Sequence, residues 1–378
     1  MAAYQPLHQH SHNPLLAHGG VRTVFAWLLS AVLCLVLLQL LCSSEAARAR
    51  WQWVGVGVSR YSCDYSEGRW VWVPGHARRY NGTACNVKDS ENCVRNGRPD
   101  TAYLDWQWRP SAAGCQLPAF DAAKFLAAAR GKHVAFFWRW AFPSHNVTVS
   151  VYWAPFLARA TGKSENYSAP YNSVFLHQLA DRWSADADTM DMAVVSAGHW
   201  FWNPTVYYNG SEVLGTHLLP GLNHTEIGFF SPYRQAIRMS IQRLVSSGGH
   251  TSGCRTVVVS TFSPAHFEKA WDDPATCARR LPYREGEREM DVMHAELRSI
   301  VREETAAASN GRATRVEVLD VTKLATMRPD GHPGVYMKRD PFARGVPERL
   351  QSDCLHFCLP GPVDTFNDIL LQLLTKRQ

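Results

Sequence analysis

The chain has 378 residues, with 39 lysines and arginines against 33 aspartates and glutamates, which gives a net charge of +6. Hydrophobic residues make up 46% of the chain and aromatic residues 11%, enough for one large domain or two smaller ones with a core. The basic residues form no long run, so the charge gives no indication of a nucleic-acid partner.

The first predicted element is a membrane anchor. Residues 24–42 are almost uniformly apolar, and only Ser30 and Gln39 interrupt the run. The run is about as long as a helix needs to cross a bilayer, and longer than the apolar core of a cleavable signal peptide. We therefore expect a cytosolic tail over residues 1–23, a retained single-span anchor over 24–42 and a lumenal stem over 43–61.

Cysteines and sequons predict an oxidising compartment for the rest of the chain. Of the ten cysteines, two lie in the predicted anchor and eight follow it. The Asn-x-Ser/Thr sequons are at Asn81, Asn146, Asn166, Asn209 and Asn223. Disulfides and N-glycans both belong to the secretory pathway, so we expect a type II membrane protein with a lumenal domain. The spacings include no Cys-x-x-Cys pair, which argues against a zinc site.

A cysteine-rich module is predicted over residues 62–118. It is rich in turns and tryptophans, and a piece of this size and polarity buries too little apolar surface to be stable without disulfides. Trp106 and Trp108 are interpreted as packing residues between this module and the rest of the chain, with contact to a sugar as the alternative. The candidate disulfide cysteines of the chain are Cys63, Cys85, Cys93, Cys115, Cys277, Cys354 and Cys358. Their pairing is left open.

From residue 119 onward, helices alternate with short apolar strands. The predicted strands are 133–136, 192–196, 256–260 and 315–320. The predicted helices are 121–130, 232–246, 289–308 and 366–374, the last capped by Asp364 or Thr365. Because the strands are apolar on both faces, residues 119–378 are predicted to form an α/β/α sandwich with a parallel sheet. Active groups of such folds gather at the carboxyl ends of the strands.

The densest cluster of chemical groups precedes the last helix, in Asp353-Cys354-Leu355-His356-Phe357-Cys358. Asp353 and His356 are three residues apart, so one turn can bring their side chains together. A carboxylate that accepts from one imidazole nitrogen leaves the other nitrogen free as a base, as in hydrolase triads. The alternative is a disulfide-pinned turn with a surface aspartate and histidine, since an Asp-x-x-His spacing alone is a weak signal.

Several blocks in order resemble the trichome birefringence-like family of plant cell-wall polysaccharide O-acetyltransferases. The blocks are Gly97-Arg98-Pro99-Asp100, Trp106-Gln107-Trp108-Arg109-Pro110, and residues 196–200, 263–268, 328–334 and 353–362. The resemblance covers about residues 62–376. It implies an SGNH/GDSL-like acyl-esterase fold in the Golgi lumen and a Ser-His-Asp mechanism in which Asp353 orients His356. The residues of these blocks are more similar to those of the family branch that acts on xyloglucan or mannan than to those of the branch that acts on xylan.

The resemblance also implies the reactants and partners. The acceptor is a cell-wall polysaccharide, and the acetyl donor is acetyl-CoA or a membrane-derived acetyl carrier. No bound cofactor or metal is expected. Other wall-synthesis proteins of the Golgi are expected as partners.

The sequence departs from the family where the nucleophile belongs. Members have Gly-Asp-Ser after the first strand, on a tight turn that exposes the serine hydroxyl near backbone N–H groups. Here Phe136 ends the strand, and the residues from Trp138 onward match a later block, so several tens of residues are absent. No nucleophile is assigned, because Ser144 belongs to the later block. The lost segment would expose the sheet and leave Cys85 without its usual partner.

The missing Gly-Asp-Ser block leads to a second hypothesis. In it, the chain is a non-catalytic relative that binds polysaccharide or a partner enzyme. His199, His266 and His332 are interpreted as hydrogen-bonded structural histidines, with an active-site wall or acceptor contact as the alternative. Asp186-Ala187-Asp188 matches the short Asp-x-Asp motif of nucleotide-sugar glycosyltransferases, but its surroundings predict a link between a helix and a strand.

Overall fold

The structure is a computed structural model that describes residues 63–76, 80, 87–135, 139–246, 255–273, 276–309, 314–345 and 350–376. The predicted anchor at 24–42, the stem, Asn81, Cys85 and the junction at 136–138 lie outside the described residues. Within the described part, no helix combines the length and the apolar character that crossing a membrane requires.

A two-stranded antiparallel sheet begins the described part, formed by β1 (Gly68–Trp72) and β2 (Trp106–Pro110). Trp70 and Trp108 are paired across it and meet edge to face, with ring centres 5.5 Å apart. Trp108 is buried, and its indole N–H donates to the carbonyl oxygen of Tyr65 at 2.8 Å. Trp108 also shares a core cluster with Leu324 and Ile369, which lie outside the module, so the packing interpretation is confirmed for Trp108. Trp106 is only partly buried and packs against the same cluster.

Six strands form the main sheet: β3 (His133–Ala135), β4 (Arg139–Phe142), β5 (Val147–Ser150), β8 (Met192–Val195), β11 (Thr256–Ser260) and β12 (Arg315–Leu319). Their order across the sheet is β12-β11-β8-β3-β5-β4. The four predicted strands, which are β3, β8, β11 and β12, are parallel, and so is β5, which was not predicted. The expectation of a parallel sheet is wrong at β4, which pairs antiparallel with β5 at the edge of the sheet. All four residues of β4 are exposed, including Trp140 and Phe142, whereas Val134 of the first predicted strand is buried. Among these strands, the expected exposure is therefore seen at the edge strand β4 and not at Val134.

The helices are α1 (Ala122–Ala128), α2 (Asp181–Ser184), α3 (Phe230–Ser246), α4 (Val292–Ala308), α5 (Thr322–Thr326) and α6 (Val363–Thr375). Helices α3 and α4 share one core cluster with Val257 and Val259 of β11. The intervening Val258 packs on the other face of the sheet, in a cluster with residues of α6 and partly buried residues of α1. Successive side chains of β11 thus serve opposite faces, as a strand buried on both sides requires. The α/β/α sandwich is confirmed.

A second sheet has four strands: β6 (Ala158–Gly162), β7 (Asn172–Leu179), β9 (Thr205–Asn209) and β10 (Glu212–His217). Their order is β10-β9-β7-β6, with β7 and β9 parallel and the outer pairs antiparallel. Val174 and Tyr207 of this sheet share a core cluster with Tyr233 and Ile237 of α3. Helix α3 therefore packs between the two sheets, an arrangement that the sequence analysis did not predict.

Aspartate side chains begin two of the helices. Asp121 accepts hydrogen bonds from the backbone of Ala123 and Lys124 at the start of α1, and Asp291 accepts from Met293 at the start of α4. The predicted cap of α6 is wrong. Pro362 occupies the cap position, and Asp364 lies in the first turn, where its Oδ2 accepts from the backbone N–H of Gly361 at 2.9 Å.

Three disulfides are present in the described part: Cys63–Cys115, Cys93–Cys358 and Cys277–Cys354. The first closes the cysteine-rich module on itself. The second joins that module to the turn before α6. Disulfides therefore hold the module as expected, but one of them links it to the rest of the chain. Both cysteines of the Asp353–Cys358 stretch are bonded, each to a different part of the chain.

Two buried arginines also join the module to the α/β/α sandwich. Arg98 donates to the carbonyl oxygens of Asp330 and His332, each at 2.8 Å. Arg328, which is 1% exposed, binds both carboxylate oxygens of Asp330 at 2.8 and 2.9 Å and donates to the carbonyl oxygen of Tyr103. The two Arg-Pro-Asp segments of the sequence, residues 98–100 and 328–330, therefore meet in one buried polar contact between the module and the sandwich.

Candidate active site

Asp353 and His356 form a hydrogen-bonded pair in the turn before α6. His356 Nδ1 lies 2.8 Å from Asp353 Oδ2. Asp353 Oδ1 accepts from the backbone N–H groups of Leu355 and His356, both at 2.9 Å. The predicted proximity therefore comes from a turn closed by the aspartate side chain, not from a helical turn. The carboxylate is buried, while 48% of the His356 side chain is exposed.

The electrostatics of the pair suit a base. The hydrogen bond that His356 donates to Asp353 raises the pKa of His356 above its usual value of about 6.5, and this effect exceeds the lowering due to burial. Burial raises the pKa of Asp353, but hydrogen bonds from His356 and from the backbone outweigh it and leave that pKa below its usual value. In neutral His356, Nδ1 carries the proton that Asp353 accepts. Nε2 then has a free lone pair and makes no hydrogen bond within the described part of the chain.

The 328–334 block holds the backbone of this turn. Gly334 and Asp353 exchange two backbone hydrogen bonds of 2.9 Å. Gly334 has φ +54, a left-handed conformation that glycine adopts without strain. His332 Nδ1 lies 2.7 Å from the carbonyl oxygen of His356. The block therefore positions the pair from behind.

His332 belongs to a chain of hydrogen bonds with a second histidine. His332 Nε2 lies 2.7 Å from His266 Nδ1, and His266 Nε2 lies 2.8 Å from the carbonyl oxygen of Thr326. Burial lowers the pKa of His266 to about 4 and that of His332 to about 3. The structural interpretation of both histidines is confirmed, since all four ring nitrogens contact protein atoms.

A cavity of about 440 Å³ opens beside His356. Its wall comes from segments that follow strands β5, β8, β11 and β12, together with the turn that carries His356. These strands are parallel, so their carboxyl ends meet at one edge of the sheet, where active groups of such folds are found. Glu91 of the cysteine-rich module completes the wall.

His199 lies in this wall. Its ring is 4.4 Å from that of Phe262, and its Nε2 is buried without a hydrogen bond to any described residue. Burial lowers the pKa of His199 to about 4, so the ring is neutral at neutral pH. Gly198 has φ +155, and a Cβ there would lie 2.5 Å from the Phe262 ring. The close packing that sets His199 in the wall therefore requires glycine.

Four hydroxyl side chains line the cavity: Ser196, Ser260, Thr261 and Ser263. Ser260 donates to the carbonyl oxygen of Thr261, and the Thr261 hydroxyl donates to Asp320. Within the described part, none of the four is hydrogen-bonded to His356. Ser144 contacts His145 just before β5, at the opposite edge of the sheet. The described residues thus contain a hydrogen-bonded aspartate–histidine pair of the kind found in triads, and no described serine is hydrogen-bonded to it.

The Asp-x-Asp segment lies between α2 and β8, as predicted. The hydroxyl of Tyr152 donates to Asp186 at 2.6 Å, and Asp188 pairs with Arg243 at 2.9 Å. Among the residues that the structure describes, no group of three or more histidine, cysteine, aspartate or glutamate side chains is arranged to hold a metal ion.

The sequon asparagines that the structure describes are all exposed: Asn146, Asn166, Asn209 and Asn223. Exposure is what an N-glycan acceptor requires. Their glycosylation, like that of Asn81, stays a prediction.

Comparisons with known proteins match both parts of the chain. The "GDSL/SGNH-like Acyl-Esterase family found in Pmr5 and Cas1p" matches residues 137–373, and the "PMR5 N terminal Domain" matches residues 61–116. Protein trichome birefringence-like 26 of Arabidopsis thaliana is 32% identical, over 85% of this chain and 79% of its own length. The chain belongs to the trichome birefringence-like family. Xyloglucan O-acetyltransferase 1 of Populus trichocarpa is 44% identical, over 83% of this chain and 82% of its own. Xyloglucan O-acetyltransferase 1 of Arabidopsis thaliana is 42% identical, over 83% of this chain and 80% of its own length.

The same comparisons bear on the prediction that a nucleophile block is absent from this chain. The alignment with the Populus protein runs over 354 positions but includes 83% of the 378 residues, about 314, so about 40 positions of that protein have no residue opposite them here. The match to the esterase family begins at residue 137. Both observations fit a segment lost after residue 136, whose content stays a prediction.

Sequence reasoning missed several residues of the cavity wall. Trp153 and Phe262 are in it because β5 and β11 end there, but neither residue type nor spacing distinguishes them from core aromatics. Glu91 is in it because the carbonyl oxygen of Glu91 accepts from the backbone N–H of Leu359 at 2.8 Å, close to the Cys93–Cys358 bond. The sequence left the pairing of these two cysteines open. Knowledge of that pairing would have placed Glu91 near His356.

Proposed function

We propose that this chain transfers acetyl groups to hydroxyls of a plant cell-wall polysaccharide in the Golgi lumen. Xyloglucan is the favoured acceptor, ahead of mannan and then xylan. The donor is acetyl-CoA or a membrane-derived acetyl carrier, and residues 24–42 anchor the chain. Relatives named xyloglucan O-acetyltransferase, 42–44% identical, support the acceptor. The observation that carries the proposal is the Asp353–His356 pair open to a cavity of about 440 Å³.

His356 Nε2 is the proposed base. It takes the proton of an attacking hydroxyl, and the buried Asp353 carboxylate stabilises the resulting imidazolium. Where a serine is present, its oxygen first takes the acetyl group from the donor and a sugar hydroxyl then takes it from the serine. His356 accepts the proton of the attacking hydroxyl and returns it to the leaving group in each step.

The described residues present no serine to His356, so we propose that the sugar hydroxyl attacks the donor directly. With a thioester donor, the new bond joins the sugar oxygen to the carbonyl carbon, and the carbon–sulfur bond breaks. The proton that His356 took from the sugar goes to the departing thiolate. A general base of this kind contributes about 10²- to 10⁴-fold to the rate.

The test uses the full chain, made in a eukaryotic secretory pathway and purified in detergent. Deacetylated xyloglucan oligosaccharides and acetyl-CoA are supplied, and mass spectrometry counts acetyl groups on the sugar and on the protein. We expect acetylated sugar, a loss of at least about 10²-fold in H356A and D353N, and an unchanged rate in H145A. No transfer by the wild-type chain, or full transfer by H356A, contradicts the proposal.

A second candidate function is polysaccharide binding without transfer, favoured by the absence of a serine beside His356 in the described cavity. Transcripts from the source tissue, read across codons 136 and 137, separate the two candidates. A longer transcript with a Gly-Asp-Ser block favours the acetyltransferase with its serine. If the short transcript is abundant and the full chain transfers no acetyl group while still binding the oligosaccharide, the binding function is the better assignment.

A further inference from the structure

Three aromatic side chains form a row that leads out of the His356 cavity: Trp153, Trp200 and Tyr167. The Trp153 and Trp200 rings meet edge to face with centres 6.4 Å apart, and the Trp200 and Tyr167 rings are 5.8 Å apart. Trp153 is 49% exposed and Tyr167 is 78% exposed. We call these three residues the aromatic row.

The row is held in place but not covered. Trp200 packs against Phe156, which is fully buried, with ring centres 6.4 Å apart. An exposed tryptophan or tyrosine ring forgoes the favourable free energy that burial of its apolar surface would give. A contiguous exposed apolar patch on a folded chain marks a ligand-binding or interaction surface more often than a single exposed ring does.

The row is continuous with the candidate active site. Trp153 and Trp200 line the same cavity as His356. Trp153 follows β5 and Trp200 follows β8, so two strands of the main sheet fix the inner end of the row. A linear molecule that lies along the row therefore enters the cavity beside the His356 ring.

Charge selects the class of molecule. The described wall of the cavity contains one carboxylate, Glu91, and no lysine or arginine. Lys88, whose charge acts on His356, pairs with Glu91 at 3.2 Å. An acidic polymer would need unpaired cations along its path, whereas a neutral one needs apolar faces and a few hydrogen bonds.

We propose that the aromatic row binds the backbone of a neutral β-linked glycan and brings one of its hydroxyls to His356. Pyranose rings in such a chain carry their hydroxyls around the edge and present C–H groups on both faces, which pack against aromatic rings. The binding part of this inference stands on the row alone. The reacting hydroxyl rests on the proposed function.

The sequon Asn166-Tyr167-Ser168 supplies a competing occupant. Asn166 is exposed, and a glycan attached to it would lie next to Tyr167. The variant N166Q removes that glycan and leaves the three rings in place. Binding is therefore measured in both the wild-type chain and N166Q.

The experiment measures the Kd of deacetylated xyloglucan oligosaccharides by calorimetry, using the full chain without an acetyl donor. We expect W153A and Y167A each to raise the Kd about tenfold. The matched control is W140A, which removes a tryptophan that is also 49% exposed but does not line the cavity. It should leave the Kd within about twofold. Oligogalacturonate is the acidic probe and should bind at least tenfold more weakly than the neutral one.

The outcomes separate the two proposals. If binding depends on Trp153 and Tyr167 but no acetyl transfer occurs, the aromatic row stands and the proposed activity fails. If transfer occurs while W153A and Y167A bind as well as W140A, the row is overturned and the activity stands. No binding by wild type or N166Q, or equal binding of the acidic probe, also overturns the row. Since Tyr167 is 78% exposed, Y167A keeps the test valid even if W153A misfolds.

Discussion

Asp353 has the largest influence on the protonation of His356. The Asp353 carboxylate, buried and 2.8 Å from His356 Nδ1, stabilises the imidazolium and so raises the pKa of His356. A base with a raised pKa is active only once the pH exceeds that value. The residue-scale consequence is that any transfer rate rises with pH through a midpoint above about 6.5.

The variant D353N should lower the pKa of His356, because the amide removes the negative charge that favours the imidazolium. The measurement is an NMR titration of the His356 ring in the wild-type chain and in D353N, which needs no substrate. D89N, which changes an exposed aspartate paired with Arg95, is the control and should leave the titration unchanged. A His356 pKa at or below 6.5 in the wild-type chain would contradict the pairing.

His266 and His332 together make three hydrogen-bond contacts behind His356, but two neutral imidazole rings carry only two N–H protons. The carbonyl oxygens of Thr326 and His356 can only accept, so His266 Nε2 and His332 Nδ1 must both be protonated to bond them. The two inner nitrogens, 2.7 Å apart, then need a third proton. Burial opposes that proton and lowers both pKa values, so two neutral rings satisfy two of the three contacts.

The free energy of unfolding should therefore fall as the pH drops from about 6.5 toward 4. The folded-state pKa values of His199, His266 and His332 lie below the unfolded value, so the unfolded chain binds more protons in this window. Each unit of pKa difference is worth about 1.4 kcal/mol. Urea denaturation at several pH values measures the slope, which should shrink in H332Q. A stability that is flat or rises toward acid pH is the contrary result.

Element-scale prediction worked where a strand is buried on both faces. The valine run of β11 was predicted with the bounds Thr256–Ser260 that the structure has, because a short run of β-branched residues that is apolar on both faces is typical of a strand in a covered parallel sheet. The four strands of the second sheet were not predicted, since β6 is built from small residues and β7 mixes polar and apolar residues. Their strand form depends on packing against α3, which a local pattern does not contain.

The buried Arg328–Asp330 pair lies in the sandwich where the module contacts it, and it should be costly to break. R328M leaves the Asp330 carboxylate buried at 1% exposure without its partner, which costs about 3–5 kcal/mol. The control R95M breaks an exposed pair with Asp89 and should cost at most about 1 kcal/mol. Urea denaturation compares the two variants. Equal losses would show that Arg328 does not stabilise the fold through Asp330.

At the scale of the whole molecule, the sequence predicted the Asp353–His356 pair of the candidate site but not the cavity around it. Asp353 and His356 are three residues apart, so their meeting is a local event. The cavity wall draws on Glu91, Trp153, His199, Phe262 and His356, which the fold brings together from five distant segments. Its shape follows from the sheet order and from the pairing of Cys93 with Cys358, neither of which the residue pattern contains.

Loss of the long disulfide should destabilise the chain more than loss of the short one. Cys93–Cys358 spans 265 residues and Cys63–Cys115 spans 52, so the first restricts the unfolded chain more. Chain entropy predicts that C93S/C358S loses about 1.4 kcal/mol more than C63S/C115S. The urea midpoints of the two double variants test this difference. A larger loss in C63S/C115S is the opposing outcome.

The Cys93–Cys358 bond also imposes an order on biosynthesis. On the proposed passage through the secretory pathway, and at about 5–20 residues per second, Cys93 enters the lumen roughly half a minute before its partner has been translated. During that interval Cys93 is a thiol in an oxidising compartment, with Cys63 and Cys115 already beside it in the chain. A premature bond among these cysteines must be reopened by thiol–disulfide exchange before the turn with His356 can be fixed. Given the proposed localisation, we therefore expect depletion of disulfide isomerases to slow the maturation of the candidate active site, and chains that stall at this stage to be retained where they are made.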